Sequence, residues 1–304
     1  QRAAVDDALA RLHQDDGACQ LLAGGTDLQT YRKQGLERRA HLIDLTGIES
    51  LSQISAKPDQ LEIGSMTTLD DLARSKEAEG WCPMISAAAR AVASPTIRYT
   101  ATVGGNLLVS NRCTFYNQSK LWRESAGSCL RETGPTCLAT GGTDKCYARN
   151  VSDLAPALIV LNGRVEIRDI KGARTLLLSD LYLADGLKGQ GGLESGAILT
   201  AVSVSLKPAK WYYRKLRQRE SIDFSSLTVA GALDSAGCAH ICINGISMSP
   251  VVIETQLKST NLSDVQLLAR RMCKSVDNDI LPLKYRRQMI DVFLEELWQS
   301  FSAK

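Results

Sequence analysis

Several things are missing from this sequence, and each absence closes off a class of function. No apolar run approaches the roughly 18 residues that a membrane-spanning helix requires, so no transmembrane segment is expected. The first residues carry no basic–apolar–small leader pattern, so no secretory signal is expected, and a start at Gln1 implies that a short N-terminal piece is missing. Neither sign of charge dominates: 36 Lys and Arg against 33 Asp and Glu leave +3, too weak and too evenly spread for a nucleic-acid or anionic-membrane partner. There is no G-x-G-x-x-G fingerprint, no GK[ST] after a glycine loop, and no C-x-x-C knuckle. The nine cysteines are odd in number and too sparse for a disulfide scaffold, which points to a reducing cytoplasm where thiols bind metal or pack as small hydrophobes. Cys19, Cys82, Cys238, Cys242 and Cys273 sit in apolar contexts and read as the second kind.

What is present is an ordinary globular composition, 44% hydrophobic and 23% charged over 304 residues, enough for two or three compact units. Val5, Ala8, Leu9 and Leu12 share a helical face; a strand Cys19–Leu22, a helix ending at Gly35 and a strand through HLIDL follow. LEIGS reads as a strand, Thr68 caps LDDLARS, and Pro83 opens an alanine-rich helix stopped at Ser94–Pro95. Short strands near Val165, Arg174 and Ile198 suit a mixed α+β layer. From Trp211 a basic, aromatic strand leads into LTVAGALD, CAHICING and SPVVIE, then two helices, as in a small antiparallel sheet covered by helices. The expected division is 1–46, 47–208 and 209–304.

Two glycine pairs stand out, AGGTDL at Ala23–Leu28 and TVGGN at Thr102–Asn106. Adjacent glycines permit positive φ and close backbone approach, and the amides at a helix start suit a pyrophosphate; a tight turn capped by Thr26 or Asp27 is the plainer alternative. Between 112 and 149 runs a stretch with little aliphatic periodicity, punctuated by Cys113, Cys129, Cys137 and Cys146. A structureless loop of that length is usually functional or disordered, and its aromatic and aliphatic residues argue against disorder. Four thiolates on one metal centre would tie it down, with zinc and iron–sulfur both open on spacing alone. Arg112, Lys120, Arg123, Arg131, Lys145 and Arg149 outnumber the loop's acids and would favour an anionic cluster and an acidic docking partner.

AGGTDL, IDLTGIESL, IGSMTTLDDLA, ASPTIRYTATVGGNL, SDLAPAL and YRKLRQRESIDF, in that order, resemble the FAD-binding subunit of the xanthine dehydrogenase family of molybdenum hydroxylases. The resemblance implies an α+β fold of two FAD-binding α/β subdomains and a C-terminal sheet-and-helix domain. It implies FAD on Gln20, Leu21, Leu22, Ala23, Gly24, Gly25, Thr26 and Asp27, on Thr102, Val103, Gly104, Gly105 and Asn106, and near Asp153 and Lys215. Without it, Asp153 reads as a helix cap and Lys215 as a solvated strand charge. The cysteine insert is similar to that of the medium subunit in 4-hydroxybenzoyl-CoA reductases, which implies a 4Fe–4S cluster on the four cysteines. Ferredoxin would then reduce the cluster, and electrons would pass through FAD to a 2Fe–2S small subunit and a molybdenum-cofactor large subunit. The expected assembly is a dimer of heterotrimers, with no catalytic residue in this chain. Two alternatives stand beside that reading: the FAD subunit of an oxidising molybdenum hydroxylase, and a non-redox protein with a zinc loop.

Overall fold

A computed structural model describes residues 2–14, 17–188, 193 and 196–303. Strands β1 (Cys19–Leu22) and β2 (His41–Asp44) run parallel, which obliges the chain to cross over between them, and the helix Thr26–Lys33 makes that crossing. Strands β3 (Ile54–Ala56), β4 (Leu61–Gly64), β5 (Arg164–Asp169), β6 (Gly172–Leu177) and β7 (Ile198–Val204) form an antiparallel sheet in the order β3-β4-β7-β5-β6. Its inward face follows the period of two that a half-buried strand needs: Leu61, Ile63, Val165, Ile167, Val202 and Val204 are all fully buried. The chain leaves this sheet after β4 and returns at β5. Everything between them, the second glycine pair and the cysteine loop included, hangs from that gap.

Strands β8 (Lys210–Leu216), β9 (Leu227–Leu233), β10 (Cys238–Asn244) and β11 (Val251–Gln256) form an antiparallel meander ordered β11-β10-β9-β8. Helices Leu262–Met272 and Leu283–Ser302 cover one face, over Leu227, Val229, Ile241 and Ile243. The other face is buried as well, because Ala230, Ala232 and Cys242 are small enough to join the core of the five-stranded sheet and the alanine-rich helix Pro83–Arg90. Among the described residues no helix is long and apolar enough to cross a membrane.

The cysteine loop is closed at its base by reciprocal backbone bonds between Arg112 and Arg149, at 2.8 and 2.9 Å, and contains a helix, Lys120–Ala126, capped by Ser119. Its frame is polar. Arg149 is buried, donates to the carbonyls of Ser225 and Gly245, and pairs with Asp279 at 2.7 Å. Asn111 Nδ2 donates to the carbonyls of Ala148 and Met248, and Asn278 Nδ2 to that of Tyr147. Three of the six cations that suggested a docking surface are used inside the loop, while Lys120 stays exposed. Arg123 is 2% exposed and paired with Glu132, Arg131 donates to Ser110 and Asn111 and lies over the Tyr116 ring, and Arg149 faces inward, so these cations hold the loop together.

Candidate functional site

The first glycine pair forms where β1 ends. Gly25 takes φ +70° and sits at the N-cap of the helix Thr26–Lys33, a position favourable to glycine, with no side-chain cap bond from Thr26 or Asp27. The helix's first amides have no intrahelical acceptor and point out of the turn. Gly24 lies so close to the backbone of Thr100 and Ala101 that a Cβ there would overlap the Thr100 carbonyl. The segment leading into the second pair is thus pressed against the first pair.

Both pairs open onto one cleft of about 660 Å³, within the size range of cofactor sites. Gln20, Leu21 and Ala23 through Asp27 line it from one side, and Thr102, Gly104, Gly105, Asn106 and Asp153 from the other. Three expected residues do not line it: Leu22, the fully buried Val103, and Lys215. The second pair is held tightly. Val103 N donates to Thr67 O at 2.9 Å, Gly104 N to Ser65 O at 2.7 Å, and Gly105 N to the Thr102 hydroxyl at 3.1 Å, closing the short helix Val103–Leu107. Its amides are therefore engaged internally, whereas the first pair sits at an open helix start. Asn106 Oδ1 accepts from Ser152 Oγ at 2.8 Å and from Leu154 N at 3.1 Å, and so fixes the turn that carries Asp153.

Asp153 stands at the N-cap of its helix but its side chain makes no cap bond, and Lys215 is not solvated. The pair meets at 2.8 Å with each side chain 4% exposed, and Lys215 Nζ also donates to Ala91 O at 2.9 Å. Burial pushes the Asp153 carboxyl above its ordinary range, against the opposing pull of Lys215. The other oxygen, Asp153 Oδ1, is buried with no hydrogen-bond partner, on a residue that faces the cleft. An unpaired buried carboxylate oxygen is costly and marks a place where a ligand donor fits.

Arg112, Tyr31 and Phe224 complete the cleft wall and escaped the sequence reading as site residues. Arg112 pairs with Asp27 at 2.8 Å and lies 4.1 Å above the Phe224 ring and 5.1 Å from that of Tyr31. It therefore links the first glycine pair, the third sheet's connection and Cys113, its neighbour in sequence. Ile222 also faces the cleft, exposed and at φ +72°, a conformation that β-branched residues rarely adopt. The only signals in the sequence were the position of Arg112 before Cys113 and the aromatics flanking it.

The four loop cysteines come together. Cys113 lies near Cys146 and Cys137, and Cys146 near Cys137 and Cys129, all four largely buried. Backbone N–H groups of Phe115 and Tyr116 point at Cys113 Sγ, and Ala148 N donates to Cys146 Sγ at 3.4 Å. Burial pushes the Cys113 thiol to about 11, so the thiolates here want a positive centre. Among the described residues, no three of these sulfurs all lie within 4.8 Å of one another. Tetrahedral zinc, with Zn–S near ~2.3 Å, would draw its sulfurs to ~3.8 Å. A tetrahedral zinc ion would therefore require these sulfurs to draw closer together.

Residues 1–206 match the family described as the FAD binding domain in molybdopterin dehydrogenase. The aldehyde oxidoreductase FAD-binding subunit PaoB of Escherichia coli is 31% identical over 245 residues, 77% of this chain and 76% of that protein. The carbon monoxide dehydrogenase medium chain of Afipia carboxidovorans is 24% identical, covering 99% and 94% respectively. The reconstituted CO dehydrogenase from Oligotropha carboxidovorans has the same fold, with a TM-score of 0.76 at 22% identity over 99% of this chain and 96% of that one. A family match over two-thirds of the chain and a cleft built from its two glycine pairs lead to one conclusion: this chain belongs to the FAD-binding subunits of the molybdenum hydroxylase family.

Proposed function

We propose that this chain is the electron-transferring FAD subunit of an oxidising molybdenum hydroxylase and that its four loop cysteines hold a 4Fe–4S cluster. The observation that carries the reading is the convergence of both glycine pairs and the unpartnered Asp153 Oδ1 on one cleft. FAD supplies the redox chemistry, and the chain supplies position and electrostatics. The helix start at Thr26 offers amides to a diphosphate, Asp153 Oδ1 accepts from a ligand donor, and Lys215 keeps that carboxylate charged and fixed. Around the cysteines, Arg131 and backbone N–H groups offset the charge of the thiolates. The units 1–46, 47–208 and 209–304 are taken as the FAD-binding pair and a C-terminal domain, in a cytoplasmic protein.

The oxidising direction is favoured by the relatives, whose names include an aldehyde oxidoreductase, a nicotine 6-hydroxylase and a nicotinate dehydrogenase. "Medium" in several of those names supports partners of larger and smaller size, a molybdenum-cofactor subunit and a 2Fe–2S subunit. Reduction of 4-hydroxybenzoyl-CoA is the second reading, carried by the cysteine loop alone. A ferredoxin donor would meet fewer exposed cations than the sequence offers, since Arg123 and Arg149 face inward.

The test is the complex purified under exclusion of oxygen, with flavin identified after denaturation, iron counted, and turnover followed on aldehydes, N-heterocycles and 4-hydroxybenzoyl-CoA. Released FAD, about four irons bound to this chain and lost in Cys137→Ser, and dye-linked oxidation of an aldehyde or heterocycle are expected. FMN, a colourless chain, or turnover of the thioester alone would overturn the reading.

A further inference from the structure

A second group of metal-capable side chains lies away from both the cleft and the cysteine loop, at the hairpin joining β9 to β10. Cys238 had been read as a small hydrophobe. It is instead half-buried in polar company. Cys238 and His240 are two residues apart on β10 and share a face, Asp234 closes the turn, and Glu254 stands directly opposite His240 on β11. One ligand atom from each of Asp234, Cys238 and His240 lies within 4.8 Å of the other two.

The groups around these atoms are arranged as a metal site requires. Asp234 Oδ1 accepts from the backbone N–H of Ala236 at 2.9 Å and of Cys238 at 2.8 Å, which fixes the carboxylate and leaves Oδ2 free to turn inward. That Oδ2 lies 3.5 Å from His240 Nε2, the edge of a tetrahedron with bonds of ~2.1 Å. The other ring nitrogen, Nδ1, is 3.2 Å from Glu254 Oε1. A carboxylate on the far nitrogen of a ligating histidine sets the tautomer that presents Nε2 and raises its basicity.

We propose that Asp234, Cys238 and His240 form a three-ligand site for a borderline-soft divalent cation, of which zinc is the type, with Glu254 orienting His240 and the fourth position open to solvent. Nitrogen and sulfur ligands exclude calcium and magnesium as the intended occupant. Three protein ligands rather than four match sites that keep an exchangeable position. Asp234 and His240 are 20% and 22% exposed, so an ion can enter from solvent. Binding converts the Cys238 thiol to thiolate and releases one proton to water.

The full-length protein, carrying its flavin and loop group, is treated with EDTA, and zinc chloride is then added in equimolar steps. Bound zinc is counted after gel filtration, and alkylation of Cys238 by iodoacetamide is read by peptide mass. Zinc is expected to bind at one equivalent beyond any held by the cysteine loop and to protect Cys238; calcium chloride does neither. Cys238→Ser and His240→Ala lose that equivalent, and Cys113→Ser keeps it. Glu254→Gln, on a side chain 64% exposed and outside the ligand set, weakens zinc binding by about tenfold while retaining flavin. Alkylation of Cys238 unchanged by zinc, or full zinc binding in flavin-loaded His240→Ala, would overturn the proposal and leave a hydrogen-bonded turn.

Discussion

The two glycine pairs are nearly the same in letters and opposite in what their backbones do. At Ala23–Asp27 the second glycine takes positive φ, a helix begins, and the amides face outward. At Thr102–Asn106 the helix is a single short turn whose amides are taken up by Ser65, Thr67 and Thr102. The difference arises from the neighbours. The first pair leaves the end of a two-stranded parallel sheet with Gly24 against the Thr100–Ala101 backbone and a helix start after Gly25, whereas the second is wedged beside the end of β4, where Thr68 and Thr102 form a bridge. Both pairs line the cleft, but one opens a helix there, and the other lets two segments approach and carries Asn106 to the Asp153 turn. Changes on the second side should therefore reach stability first, and changes on the first side should reach flavin first.

The sharpest test of that split is Lys215→Met, which strands Asp153 in a buried site and should cost about 3–5 kcal/mol in urea unfolding. The penalty has a pH signature. Without Lys215 the folded-state pKa of Asp153, already above its unfolded one, rises further, so the native state binds more protons. Stability then falls as pH rises from the unfolded carboxyl value near ~4 up through the raised folded-state value. A variant whose stability is flat across that window would show that Asp153 is not the buried charge. Next comes Gly24→Ala, where the new methyl overlaps the Thr100 carbonyl; a cost of about 1–3 kcal/mol and near-complete loss of FAD are expected, read as flavin per chain. Retention of FAD would break the contrast between the pairs.

Arg112→Lys keeps the charge beside Asp27 but loses the planar stack on Phe224 and Tyr31, and should weaken FAD by about 1 kcal/mol, roughly fivefold, in an equilibrium titration. Smallest is Gly105→Ala. Its Cβ would sit 3.0 Å from the Thr102 hydroxyl, which can rotate, so a few tenths of a kcal/mol and full flavin loading are expected. If Gly105→Ala empties the site as Gly24→Ala does, the two pairs are equivalent after all.

Much of the frame was legible in the sequence, because it rests on short-range periodicity. β4, the alanine-rich helix, the four strands after residue 209 and the last helix lie close to where alternation, proline and glycine placed them. The residues of the cleft were legible as motifs, but their division of labour was not: whether an amide is free depends on Ser65 and Thr67, some 40 residues earlier in the chain. Asp153 and Lys215 illustrate the same limit. Each taken alone looks like a cap or a solvated charge, and only pairing across 62 residues makes them a buried couple. Arginines in the cysteine loop misled in the same way, since a sequence shows charge and not the carbonyls that take it up.

The frame around the loop cysteines has a consequence for the order in which the molecule is made. Arg149 finishes the base of the loop only when it meets Asp279, 130 residues further along the chain. A ribosome working from the N-terminus releases all four thiols long before their frame exists. Whatever the thiols hold is therefore best installed late, after the last sheet has closed over the loop's base. A nascent chain stopped short of Asp279 would offer the same cysteines as loose, oxidisable thiols.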